Sequence, residues 1–167
     1  MPLHKDLVEI EASSCVSIEI RYATIDNFTN ELIYQQAGCY LQKEAYQAFL
    51  AAKETALRLG YGLHVFDAFR PQEAQEKLWQ HTPDPDFLAD PKRGSPHSRG
   101  VAIDLTLRDL ETKKDLDMGT EFDAFTPLSH HGAEVAIEAQ KNRLLLMGIM
   151  TNTGWDFYRN EWWHYQL

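Results

Sequence analysis

The sequence predicts an α+β fold: a small, mainly antiparallel sheet packed with helices, in a single domain spanning residues 1–167. Three observations predict it. Short segments place apolar residues at every second position, two long segments place them at helical spacing, and the aromatic C-terminal run can fold back as paired strands. A chain of 167 residues suits one core, because such a length buries roughly two thirds of its unfolded surface.

The elements follow in chain order. SIEIRY (17–22) alternates Ile18, Ile20 and Tyr22 and reads as a strand with one buried side. Residues 42–59 repeat Ala45, Phe49, Ala52 and Ala56 along one helical face, and Gly60 stops that helix. GLHVFDAF, with Leu63, Val65 and Phe66, predicts the next strand, and Pro71 opens a short helix over PQEAQEKLWQ. From His81 to Arg99 the chain is rich in Pro, Asp, Gly and Ser, a loop leading into GVAIDLTL. There Val101, Ile103, Leu105 and Leu107 alternate with Ala102, Asp104 and Thr106, predicting a strand. Residues 108–132 are irregular, a second long helix covers about 133–150, and WDFYRNEWWHYQL supplies the terminal strands after a turn at Asn152–Gly154.

Composition narrows the function. A net charge of −9 argues against a nucleic-acid backbone as partner. No stretch approaches the ~18 apolar residues of a membrane helix, so no membrane partner is expected. Cys15 and Cys39 form neither a disulfide framework nor a CxxC zinc pair and are expected to be reduced. MPLHKDLVEIEA lacks a basic segment followed by an apolar run, which leads to the expectation of a cytoplasmic protein.

The chemistry concentrates in a few places. Asp104 sits between two small residues on its strand face, where a carboxylate needs a partner or a metal. His97 lies seven residues upstream, roughly 23 Å away if extended at ~3.3 Å per residue. Sharing an ion requires the chain to double back, which Ser98-Arg99-Gly100 allows. His164, with Glu161 three residues before it, supplies a third candidate. Two imidazoles and one carboxylate leave a fourth tetrahedral position for water, which zinc activates, and Glu161 is then the general base rather than a ligand. Cobalt, nickel or iron also suit such donors.

Each feature has a plainer reading. A histidine on a strand is commonly a surface or core residue, an aspartate in a strand can belong to a solvated face, and the HxxxxxxD spacing is unspecific until a terminal ExxH joins it. His4, His64, His81, His130 and His131 have no partner at a telling spacing and read as structural or exposed; Trp162 and Trp163 read as core. Arg70 stands where a strand ends and a helix begins, within reach of an oxyanion, but its spacing equally suits a salt bridge to Asp67 or Glu73.

YATIDNF (22–28), FDAFRP (66–71), SPHSRGVAIDLTL (95–107), DMGTEFD (117–123) and EWWHY (161–165) together resemble the D-alanyl-D-alanine dipeptidases of the VanX and DdpX type. The blocks run in order along nearly the whole chain, and SxHxxGxAxD with ExxH is specific to that zinc peptidase group. The resemblance implies the D-Ala-D-Ala peptidase, or hedgehog-like, fold with a zinc site at the sheet and one Zn²⁺ per chain. It implies His97, Asp104 and His164 as zinc ligands, Glu161 as catalytic base, and Arg70 as the group that stabilises the tetrahedral intermediate. Asp123 and Tyr22 match positions that hold the substrate ammonium, and Ser95, with Tyr34, positions that meet its carboxylate. Pro96 stands where the family carries Ser or Asn and removes one backbone donor.

The implied activity is hydrolysis of D-Ala-D-Ala, for recycling of a cell-wall dipeptide or for glycopeptide resistance. Two other readings share these residues: a peptidoglycan D,D-carboxypeptidase or endopeptidase with an open groove, and a zinc-stabilised binding module. A serine hydrolase built on Ser95 lacks the GxSxG elbow.

Overall fold

A computed structural model describes residues 6–167; His4 lies outside them. Ten elements follow the chain: β1 (Leu7–Glu9), β2 (Val16–Ile18), β3 (Tyr40–Gln42), α1 (Lys43–Arg58), β4 (Tyr61–Asp67), α2 (Gln72–His81), β5 (Ala102–Asp109), α3 (Ile137–Asn152), β6 (Asp156–Tyr158) and β7 (Glu161–Gln166). A five-stranded sheet runs β2-β4-β5-β7-β6, and β1 pairs with β3 in a separate two-stranded ribbon. Within the main sheet only β2–β4 is parallel, while β4–β5, β5–β7 and β6–β7 are antiparallel. The α+β expectation is met, with a mixed sheet.

The register sorts side chains by face. Leu63, Val65, Ile103, Leu105, Leu107 and Tyr165 fall on one side through the pairs Leu63–Leu107, Val65–Leu105 and Ile103–Tyr165. All are buried in one core with Ala45, Phe49, Ala52 and Ala56 of α1 and Leu146, Ile149 and Met150 of α3. The other side carries Asp104, Thr106, His64 and His164. Both faces are covered, so the polar groups on the second side must find partners there.

Several sequence expectations change. The strand expected over 17–22 ends at Ile18, and Arg21–Ala23 forms a 3₁₀ turn. Asn27 fixes this turn by donating to the carbonyls of Arg21, Thr24 and Glu31, a side chain outcompeting the ladder for backbone groups. The second long helix begins at Ile137 rather than Ala133. Residues before it are held in turns, with His131 N–H on Arg159 O and Ala133 N–H on His130 O. Strands β1 and β3 are too short, at three residues each, to show a period.

Candidate active site

Three elements bring the metal-ligating candidates together. β5 and β7 pair so that Asp104 lies directly opposite His164 on one face. His97 arrives from the preceding loop, which doubles back at Gly100 with φ +73°, as its small residue allows. A Cβ at Gly100 would sit 2.9 Å from the tip of the Leu7 side chain and 3.3 Å from Gln42 N, so a larger residue would be crowded as well as strained by the positive φ. The turn is closed by Gly100 N–H and Arg70 N–H, both donating to His97 O.

The three ligand atoms form a tight triangle. His97 Nε2 is 3.2 Å from His164 Nδ1 and 3.3 Å from Asp104 Oδ1, and His164 Nδ1 is 3.0 Å from Asp104 Oδ1. Donors ~2.0–2.1 Å from a tetrahedral cation stand roughly 3.3 Å apart, so the triangle has the size of one face of a zinc coordination sphere. Hydrogen bonds behind the rings set the tautomers. His97 Nδ1–H donates to Ala68 O at 2.7 Å, and His164 Nε2–H donates to Gln166 Oε1 at 2.9 Å. With neutral rings, both inward nitrogens present lone pairs beside a carboxylate oxygen. Three such donor atoms suit a cation, and His97, Asp104 and His164 are the metal-capable group among the described residues.

Glu161 lies just outside this triangle, with Oε2 3.8 Å from His164 Nδ1. In a regular strand residues three apart face opposite sides. Here the β6–β7 register slips, so that Phe157 pairs with Tyr165 but Tyr158 pairs with Glu161. The irregularity re-aims the carboxylate into the site. Burial, then the carboxylates of Asp104 and Asp123, push the Glu161 pKa well above the ordinary carboxylate range.

A second irregularity places Arg70. Between Val65 and Asp67 the β4 register shifts by one, turning Asp67 onto the face of Asp104, its cross-strand partner. Arg70 answers this pair of like charges. Its Nε–H and one Nη2–H donate to Asp67 Oδ2 at 3.0 and 2.8 Å, and Nη1–H donates to Gln75 Oε1 at 2.8 Å. Nη2 also lies 3.7 Å from Asp104 Oδ2. The salt bridge to Asp67 is thus real, Glu73 takes no part in it, and the bridge is what aims the guanidinium. Of a guanidinium's five N–H groups, the bonds to Asp67 and Gln75 engage three, and Arg70 lines a cavity beside the triangle.

Arg70, Glu161 and the three residues of the triangle line this cavity of ≈ 220 Å³ together with Tyr22, Ser95 and Asp123. Asp123 accepts a hydrogen bond from Tyr22 OH, and the Tyr22 ring lies under the Arg70 guanidinium at 5.1 Å. Burial foremost, and then Asp104, raises the Asp123 pKa to about 8. Asp123 has φ +60°, a conformation Asp tolerates better than most residues. Ser95 Oγ accepts from His97 N–H at 3.2 Å. Tyr34 is placed differently: its hydroxyl donates to Asp67 Oδ1 at 2.6 Å, behind Arg70 rather than on the cavity wall.

Among the described residues, the remaining histidines stay out of the triangle. His64 is buried between Asp115 at 2.8 Å and Glu19 at 3.3 Å. Burial lowers the His131 pKa to about 4. Trp162 and Trp163 are core, as expected, and Cys15 and Cys39 are free thiols. Sequence reasoning missed Gln166, which fixes the His164 tautomer; its position two residues beyond His164 on one strand face is the signal that could have found it. It also missed Gln75, Phe87 and Tyr158, for which the sequence holds no signal.

The chain is similar to known proteins along most of its length. A family model described as D-Ala-D-Ala dipeptidase matches residues 5–167. The D-alanyl-D-alanine dipeptidase of Escherichia coli (strain K12) is 48% identical over 153 residues, 91% of this chain and 79% of that protein. The enzyme of the same name from Enterococcus faecium is 36% identical over 170 residues, 89% of this chain and 84% of its own. That of Streptomyces coelicolor is 33% identical over 178 residues, covering 94% and 88%. Among solved structures, the LD-carboxypeptidase LdcB has the same fold, with a TM-score of 0.55 at 17% identity over 98% of this chain and 68% of that one. A match along almost the whole chain, over a sheet carrying a buried His-Asp-His triangle, places this protein in the D-Ala-D-Ala dipeptidase family of metallopeptidases.

Proposed function

We propose that this chain hydrolyses the free dipeptide D-Ala-D-Ala, with one zinc ion held by His97 Nε2, Asp104 Oδ1 and His164 Nδ1. The observation that carries the reading is the acceptor triangle with Glu161 beside it. Zinc at such a site supplies Lewis acidity, lowering the pKa of a water toward ~7 and polarising a carbonyl.

The protein groups do the rest. Glu161 takes a proton from the attacking water as the carboxylate, its burial raising its affinity for that proton, and as the carboxylic acid then returns it to the departing amine. The remaining N–H groups of Arg70 face the oxygen on which negative charge grows, and Asp67 and Gln75 hold the guanidinium still beforehand. Asp123, with the Tyr22 hydroxyl on it, pairs with the substrate ammonium. Ser95, which also lines the cavity, takes the substrate carboxylate, and Tyr34 acts there only through Asp67 and Arg70. Recognising both free ends selects a dipeptide, because a chain extended at its amino end leaves the half-buried Asp123 without its cation.

The test is an assay of D-Ala-D-Ala, L-Ala-L-Ala and a muropeptide by metal-depleted and zinc-restored protein. Cleavage of the D,D-dipeptide that vanishes on depletion and returns with zinc is expected. Preference for the muropeptide would point to an open-groove carboxypeptidase, and zinc binding without cleavage of any substrate to a binding module.

A further inference from the structure

The cavity has a roof that the chemistry above does not use. Pro85, Phe87, Leu88 and Ala89, from the loop between α2 and β5, form an apolar wall of the cavity. This short segment is tied down through two backbone carbonyls. Asp86 O accepts from Tyr158 OH at 2.7 Å and from Asn160 Nδ2 at 3.2 Å, and Asn160 Nδ2 also donates to Tyr158 OH. Ala89 O accepts from Gln75 Nε2 at 2.7 Å. Both anchors belong to elements that carry reacting groups: Tyr158 and Asn160 sit in the hairpin that delivers Glu161, and Gln75 holds Arg70.

The roof also joins one particular segment. Phe87 stacks on Phe125 at 4.9 Å, and Phe125 lies 4.8 Å from Phe28. Phe125 is two residues beyond Asp123, and Phe87 lines the cavity together with Asp123, so the stack ties the roof to the segment that carries the carboxylate proposed to hold the substrate amine.

We propose that Pro85–Ala89 is the specificity-determining roof of the site, that Tyr158, Asn160 and Gln75 are positioning residues that latch it, and that the latched roof excludes substrates extended beyond the amino end of a dipeptide. This rests on the dipeptidase reading above. Polar side chains donating to loop carbonyls hold the loop without a ladder, so the closure is local and can be released locally.

The test compares the parent, Phe87→Ala, and Tyr158→Phe combined with Asn160→Ala. Each is assayed for kcat/KM on D-Ala-D-Ala and on the tripeptide L-Ala-D-Ala-D-Ala, with amide hydrogen exchange measured across 82–96 and across β5. In both variants the tripeptide-to-dipeptide ratio of kcat/KM should rise by at least ~10-fold. Exchange should quicken at Phe87 and Leu88, whose N–H groups bond to Asp84 O, and stay unchanged in β5. Ratios within twofold of the parent overturn the proposal, as does unchanged exchange in the double variant. A parent that cleaves no dipeptide overturns the activity reading instead, and the exchange data still decide whether the latch exists. If the double variant does not fold, Phe87→Ala alone decides by its ratio, since it removes the roof's ring and leaves the latch in place.

Discussion

The site has two halves built in different ways. His164, Asp104 and Glu161 project from β5 and β7, and Arg70 is braced by the last residue of β4. Tyr22, Ser95, Asp123 and the roof come instead from turns and loops. The strand-borne half takes its geometry from ladders and from two register shifts that turn carboxylates inward. The loop-borne half has no ladder and is held by side chains bonded to main-chain carbonyls. Arg143 of α3 donates to Met118, His130 and Leu128, Asn142 to Asp117, and Tyr158 to Asp86. The difference separates tasks: reacting groups need fixed distances, which strands supply, whereas recognition needs a surface that can admit and release a ligand.

The largest effect should come from the strand-borne half. Glu161→Gln keeps the shape and removes the proposed proton acceptor, so kcat should fall by as much as ~10,000-fold, with KM, metal content and melting temperature close to the parent's. A variant that retains more than about a tenth of the parent's turnover would remove Glu161 from the mechanism and break the assignment of chemistry to this half.

Legibility in the sequence divides along the same line. A strand-like apolar run exposed β4, period-two alternation exposed β5, and the SxHxxGxAxD and ExxH blocks exposed the triangle, because ligand geometry leaves fixed spacings. The same spacing left Arg70 between salt bridge and oxyanion partner; the shift at Phe66 lets it serve both, and no period reveals a shift. Glu161 and His164, three apart in a strand, meet only because β6 and β7 slip. The loop half was read through resemblance alone. The Arg143 bonds, which span 13 to 25 residues, depend on main-chain carbonyls that carry no residue identity. Tyr34 shows the limit of that route, since its hydroxyl turned out to serve Asp67.

The second effect tests the charge of the loop half. With its pKa at about 8, Asp123 keeps its proton in the free protein across most of the neutral range. Burial is the leading cause and persists whether or not a cation balances Asp104. Pairing with an ammonium requires the carboxylate, so below pH 8 binding must expel a proton, at up to tenfold in affinity per pH unit. KM should therefore rise as pH falls from 8 to 6, by up to ~100-fold. Asp123→Asn should give a high KM without that slope. The same shift acts on folding: the folded pKa is raised above the unfolded value of ~3.9, so the stability contributed by the neutral carboxyl is complete below ~4 and is lost as pH rises toward 8. The Asn variant should lack that decline, and a flat KM profile in the parent would sever Asp123 from the amine.

The smallest effect asks whether the two halves are separable at all. Arg143 is almost fully buried, and its guanidinium closes three carbonyls of the segment that carries Asp123. Arg143→Met preserves the apolar stem against α3 and leaves those carbonyls unpaired, at ~1–3 kcal/mol for each that water does not reach. The melting temperature should drop by several degrees, at about 2–4 °C per kcal/mol for a domain this size. Because the segment positions Asp123 and does not touch the triangle, KM should rise by ~10-fold with kcat within about threefold. Lysine at this position, able to reach one carbonyl but not three, should fall between parent and methionine. A fall in kcat at constant KM would instead mean that the loop transmits its order to Glu161 or Arg70, for which the route runs through Tyr22, bonded to Asp123 at one end and stacked under Arg70 at the other.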